Sequence, residues 1–194
     1  MIHSLFPTTV YNIQIANTMR LELLDACNSV LTDVGEDHLL NIEGWNSTLH
    51  SAPDESNVIN NIPIVIETFK LIKESIQDFL NQRNQPYFEE DMQHPFGFFS
   101  DMKNNGHLRR HAHLDCKFSG IIYLEVGDNV PPLVFHDPRP YTKFESSKYC
   151  TNPVVTIPPR QGMMLIWDHW LEHEVYTKTN DNPRKSFTFN IYET

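Results

Sequence analysis

Residues 111–126 read HAHLDCKFSGIIYLEV, and two features of that stretch decide the fold. His111 and His113 sit two positions apart, and a β-prone run from Phe118 to Val126 follows at once. On an extended chain, residues i and i+2 point to the same side, so both imidazoles can face one point at a strand end. A third ligand from a distant strand would complete a facial set, and His173 in WLEHEV (170–175) is the candidate. Imidazole binds Fe, Zn, Cu and Ni alike, so ligand type does not name the metal. Three protein ligands with open positions suit Fe(II) that must also bind a co-substrate and oxygen.

Outward from this stretch the texture stays the same. FGFFSDM (96–102), PPLVFHD (131–137), PVVTIPP (153–159), GMMLIWDHWLEHEVYT (162–177) and KSFTFNIYE (185–193) are short β-rich runs separated by Gly, Pro, Asn and Asp. Many short strands without intervening helices predict a sandwich or barrel. Upstream, Thr9 to Ile15 reads as a strand. Residues 17 to 33 place Met19, Leu23, Cys27, Val30 and Leu31 at helical spacing, with Asn17 as a candidate cap. From Pro63 to Gln82 the positions Val65, Phe69, Ile72, Ile76 and Phe79 recur at three and four, and proline suits a first helical turn.

No repeat, low-complexity tract or linker divides the chain, so residues 1–194 are expected to form a single domain. Within it, residues 1–90 would be helical N-terminal support and residues 91–194 the barrel core. The chain has 194 residues, 40% of them apolar, enough for a real core. Fifteen Lys and Arg against twenty-five Asp and Glu give a net charge of −10, which argues against nucleic acid and anionic membranes as partners. Cys27, Cys116 and Cys150 show no CxxC spacing and are odd in number, which fits a reducing cytoplasm. The N-terminal MIHSLFPTTVYNIQIAN lacks the pattern of a secretory signal, and no apolar run is long enough to span a bilayer.

Four ordered motifs carry a resemblance. HAHLDCKFSGIIYL (111–124) contains an HxH element followed by SG-x-x-Y. PLVFHDPRP (132–140) is a Pro-Leu-x-Phe turn, PPRQGMMLIWDHWLEHEV (158–175) leads a hairpin into W-L-x-H, and RKSFTFN (184–190) gives R-x-S-x-x-F-N. Over roughly residues 95 to 192 the chain resembles the prolyl-hydroxylase-like 2-oxoglutarate and Fe(II) dependent oxygenases common in marine bacteria and their phages.

The resemblance implies a double-stranded β-helix, a cupin-like jelly roll, with the two helices packed on its larger sheet. It implies that His111, His113 and His173 hold the metal and that Arg184 and Ser186 receive the distal carboxylate of 2-oxoglutarate. Tyr123 matches a strand tyrosine that touches the same carboxylate. The implied cofactors are Fe(II), 2-oxoglutarate as co-substrate and O2, with ascorbate as an optional accessory. Most of the wider superfamily uses His-x-Asp instead, and this sequence offers that pair too, in His113 and Asp115. The first pair is preferred, because the second would leave only three residues before Ser119 and Gly120.

Arginine suits the carboxylate chemically, since its planar fork gives two parallel charge-assisted hydrogen bonds and it does not lose its proton. If KTNDNP (178–183) made a hairpin, residues 171–177 would pair with 184–191, with Thr177 opposite Arg184 and His173 opposite Thr188. Arg184 would then lie about four rungs, roughly 13 Å, from His173 on one shared face. His107, Arg109 and Arg110 precede the site and are candidates for facing substrate, or an exposed basic turn. Trp167 and Trp170 read as barrel packing.

The expected activity is hydroxylation of a C–H bond of an unknown substrate, a prolyl or other protein side chain included, coupled to conversion of 2-oxoglutarate to succinate and CO2. The alternatives are a cupin-like metal dioxygenase that needs no 2-oxoglutarate, and a silent barrel kept as a binding or structural viral module. The expected partner is a protein, peptide or small-molecule substrate, with homodimerisation open. The expected location is the cytoplasm, that of the host if the chain is phage-encoded.

Overall fold

A computed structural model describes residues 7–33, 44–49, 59–88, 92, 94–113, 115–139 and 153–192. In chain order they form β1 (Val10–Gln14), α1 (Asn17–Asp33), β2 (Trp45–Ser47), α2 (Pro63–Gln82), β3 (His94–Met102), β4 (Leu108–His111), β5 (Cys116–Val126), β6 (Leu133–His136), β7 (Val154–Ile157), β8 (Met163–Asp168), β9 (His173–Val175) and β10 (Arg184–Tyr192). One sheet has six strands in the order β1-β8-β5-β10-β3-β2, the other four in the order β4-β9-β6-β7. The pairs are antiparallel throughout. Two such sheets face to face are the double-stranded β-helix expected of the sequence.

The alternation within RKSFTFNIY shows why this arrangement forms. Successive strand side chains point to opposite faces. Phe187, Phe189 and Ile191 therefore share the outer face, where they join one core cluster with Leu23 and Cys27 of α1 and Val65, Ile72 and Ile76 of α2. Arg184, Ser186, Thr188 and Asn190 take the opposite face and line a cavity between the sheets. Each fully buried Phe or Ile stabilises the molecule by about 1.5–3 kcal/mol, so the apolar half of β10 anchors the helices and positions its polar half inside. A second cluster fills the barrel, built from Met102, Ile121, Tyr123, Leu133, Phe135, Met163, Leu165, Trp167, Leu171 and Val175.

Helix α2 spans the predicted residues, with Pro63 in its first turn and Ile62 extended at its N-cap. Thr68 and Ser75 lie on its buried face and satisfy their hydroxyls by donating to the carbonyls of Ile64 and Leu71 one turn back. Asn17 is the first residue of α1. Its side-chain oxygen accepts from Arg20 Nε at 2.9 Å, so the expected capping contact is replaced by a side-chain pair.

Two expectations need correction. β9 and β10 do not form a hairpin. His173 pairs with His111 and Phe135 in the small sheet, whereas Thr188 pairs with Phe98 and Ile121 in the large one. Residues 176–183 cross between the sheets instead of turning, because other loops satisfy their polar groups. Lys178 N–H donates to Gly106 O, Asn180 Nδ2 to Asn129 O and Asn182 Nδ2 to Asp128 O, while the carbonyl of Pro183 accepts from Gly127 N–H. The N-terminal part also supplies a strand beyond the one expected from Thr9 to Ile15, since β2 as well as β1 forms an edge of the large sheet. Pro140 and Cys150 lie outside the described residues, and Cys27 and Cys116 are buried free thiols.

Candidate metal centre and co-substrate cavity

His111 ends β4, His113 follows two residues later, and His173 opens β9, the strand that pairs with β4. The register places His111 opposite His173, with a bulge earlier in β4 that turns the end of that strand. One candidate ligand atom from each of the three histidines falls within 4.8 Å of the others. The ring centroids lie 5.0 Å apart for His111 and His113, 4.3 Å for His111 and His173, and 5.2 Å for His113 and His173.

Backbone carbonyls fix the rings. Nδ1 of His111 lies 2.8 Å from Arg109 O, and Nδ1 of His173 lies 2.9 Å from Leu171 O. A proton on each Nδ1 leaves Nε2 with a free lone pair, the arrangement that orients metal-binding histidines. His113 is held through its backbone, its N–H donating to His169 O at 3.0 Å while its carbonyl lies 2.6 Å from His169 Nδ1.

Burial sets the protonation of the cluster. It is the largest influence on all three histidines, lowering His113 to about 4 and His173 to about 3, with the neighbouring imidazoles adding to it. His111 is lowered as well, against the opposing hydrogen bond from its Nδ1 to Arg109. All three are therefore neutral near pH 7, the form that binds a metal. Asp115 is exposed and lies outside this cluster, so the structure brings together His111 with His113 and not the alternative pair.

The same cavity, of about 310 Å³, runs from the histidines to Arg184, Ser186, Thr188 and Asn190 on β10. Arg184 is 3% exposed and its Nη2 has no partner. Among the described residues the guanidinium's only hydrogen bond is from Nε to Pro131 O at 3.3 Å, and no carboxylate pairs with it. Burial lowers its pKa from the ordinary value, and the Tyr123 ring lies 5.4 Å from its guanidinium carbon. Tyr123 faces Ser186 across the β5–β10 pair, is fully buried, and also has a hydroxyl without a partner. Ser186 Oγ lies 2.9 Å from Ser100 Oγ. A buried guanidinium whose Nη2 lacks a partner, beside a phenol hydroxyl that also lacks one, leaves a strong demand for an anion with several acceptor oxygens. A carboxylate fits that demand, and the neutral imidazoles fit a divalent metal.

The remaining sequence candidates separate. Arg110 forms an ion pair with Glu172, while Arg109 is exposed and supplies the carbonyl that orients His111. His107 is half-buried and does not line the cavity. Trp170 is 42% exposed. Trp167 is buried and packs edge-on against His173 with 4.9 Å between centroids, yet its Nε1–H has no partner and the residue lines the cavity. That donor was missed because an indole in an apolar strand reads as packing. Also unforeseen was the contact of Asn190 Oδ1 with Ser119 Oγ, at 2.9 Å, beside the Cys116 thiol.

Residues 99–190 match a family model described as "Putative 2OG-Fe(II) oxygenase". Among curated proteins none matches the chain in sequence. Solved structures share its fold. A prolyl-4-hydroxylase from Pseudomonas putida superposes with a TM-score of 0.66 at 12% identity, covering 96% of this chain and 94% of that one. The epimerase SnoN of nogalamycin biosynthesis, in complex with Fe3+, alpha-ketoglutarate and nogalamycin RO, gives 0.66 at 11% identity, covering 96% and 79%. HygX from Streptomyces hygroscopicus, with nickel and 2-oxoglutarate bound, gives 0.59 at 11% identity, covering 96% and 84%. The histidine cluster, Tyr123, Arg184 and Ser186 all fall within the segment that is similar to this oxygenase family.

Proposed function

We propose that the chain is a 2-oxoglutarate dependent dioxygenase that hydroxylates a C–H bond, with Fe(II) held by His111, His113 and His173 and the distal carboxylate of 2-oxoglutarate received by Arg184 and Ser186. The observation that carries this reading is the buried Arg184, its Nη2 without a partner, at the far end of the cavity that holds the histidine cluster. The iron and co-substrate, when bound, supply the oxidising chemistry in which O2 is consumed, 2-oxoglutarate leaves as succinate and CO2, and an oxygen atom is added to the substrate.

The protein residues have distinct tasks. His111, His113 and His173 offer neutral nitrogen donors on fixed rings and leave the remaining metal positions to ligands from solution. Arg184 neutralises the co-substrate carboxylate, Ser186 and Tyr123 add hydroxyl donors, and the rigid β10 sets the distance between that carboxylate and the metal. The apolar walls exclude water, which strengthens these charged contacts. The likeness to the prolyl-4-hydroxylase makes a prolyl side chain one substrate to test first.

Succinate formation from 2-oxoglutarate under air, dependent on added Fe(II), tests the activity. A cupin-like dioxygenase without this co-substrate would consume O2 and form no succinate, and a silent barrel would consume neither.

A further inference from the structure

Four of the residues that line the cavity fall outside the segment shared with the oxygenase family: Trp45, Leu49, Phe98 and Tyr192. All four are apolar or aromatic. The shared segment carries the proposed metal and co-substrate residues, so this wall is the part that the chain adds to them.

The wall is continuous. Trp45 packs edge-on against Phe98 with 6.4 Å between centroids, Phe98 lies 6.1 Å from Phe96, and Phe96 packs edge-on against Tyr192 at 6.4 Å. These separations are those of favourable aromatic pairs. The register explains the row: Trp45 pairs with Met102 at the edge of the large sheet, and Phe96 and Phe98 are two apart on β3 beside Asn190 and Thr188.

The charge around the cavity is equally informative. Among the described residues that line it there is no Asp, Glu or Lys, and the one Arg is Arg184, which the proposed function commits to the co-substrate. A charged group carried in by the substrate would be desolvated without a counter-charge. The volume of about 310 Å³ is at the lower end for small-molecule sites and must hold the co-substrate as well.

We infer that Trp45, Phe98 and Tyr192 determine specificity, and that the substrate inserts a single small, uncharged hydrocarbon group, such as one ring, against this aromatic wall. The inference rests on the proposed oxygenase function.

The test compares three probes of one shape, cyclohexanecarboxamide, cyclohexanecarboxylate and cyclohexylmethylammonium. Each is titrated calorimetrically into protein loaded with Fe(II) and 2-oxoglutarate without oxygen. The carboxamide should bind at least about tenfold more tightly than either charged probe. Trp45→Ala and the milder Phe98→Leu should each weaken the carboxamide by about five- to tenfold, leave 2-oxoglutarate affinity unchanged, and be distinguished from Trp170→Ala, which should alter neither. Equal or tighter binding of a charged probe, no binding of the carboxamide, or unchanged carboxamide affinity in both wall variants would overturn the inference. In those cases intact 2-oxoglutarate binding would leave the oxygenase function standing. If wild-type protein failed to bind 2-oxoglutarate, that function and this inference would fall together.

Discussion

Arg184 holds its charge away from water with one weak contact to a carbonyl, an arrangement that an anionic ligand would complete. Arg184→Met keeps much of the apolar stem and removes the paired donors. It should weaken 2-oxoglutarate by about 1.5–3 kcal/mol, or roughly ten- to a hundredfold, with metal affinity unchanged by calorimetry. The histidines give a second test. His111→Ala should abolish metal binding and Asp115→Ala should spare it, and the reverse pattern would move the centre to His113 and Asp115. The same histidines predict a pH dependence. Their folded pKa values lie below the ordinary 6.5, so as pH falls the unfolded chain takes up protons first. Metal-free protein should therefore be fully stabilised above pH 6.5 and lose stability as pH falls toward about 4 for His113 and about 3 for His173. The thermal midpoint of wild type should fall further across this range than that of His113→Gln, and parallel curves would contradict the shift. The convergence of His111 and His113 and the inward face of Arg184 were legible because period-two spacing and residue chemistry coincide in them. The Trp167 donor was not, since nothing in LIWD distinguishes an indole that packs from one that also faces a ligand.

At the level of elements, β5 and β10 were readable and their partners less so. The alternation in RKSFTFNIY assigned the inward face correctly, although β9 turned out to lie across the cavity and not alongside. Hairpin and crossover share the same local turn residues. What separates them is where the polar groups of residues 176–183 find partners, and those partners sit in loops around residues 106 and 127–129, remote in sequence. The glycine in FSGIIYL has a similarly remote cause. A Cβ on Gly120 would lie 2.1 Å from the Phe189 ring and 2.6 Å from the Leu165 carbonyl oxygen. Gly120→Ala should therefore destabilise the fold by about 1–3 kcal/mol through overpacking, read as a lowered thermal midpoint. An unchanged midpoint would mean that the ring moves freely, against its burial at the β5–β10 contact.

For the molecule as a whole, two helices on the outside of a barrel were predictable because helical and strand periodicities occupy separate halves of the chain. The edge strands β1 and β2 blur that division, and the short WNS of β2 gives no alternation from which to read a strand. Among the described residues no helix is long and apolar enough to cross a membrane. The assembled molecule places a metal-fitting histidine cluster and a carboxylate-fitting arginine in one cavity, so a single ligand is expected to reach both. The direct measurement is an anaerobic absorption titration with 2-oxoglutarate added to Fe(II)-loaded protein. A weak visible charge-transfer band should appear only when both are present, and Arg184→Met should shift its titration to higher 2-oxoglutarate. Stoichiometric iron with saturating 2-oxoglutarate and no such band would contradict chelation at the His111, His113 and His173 centre.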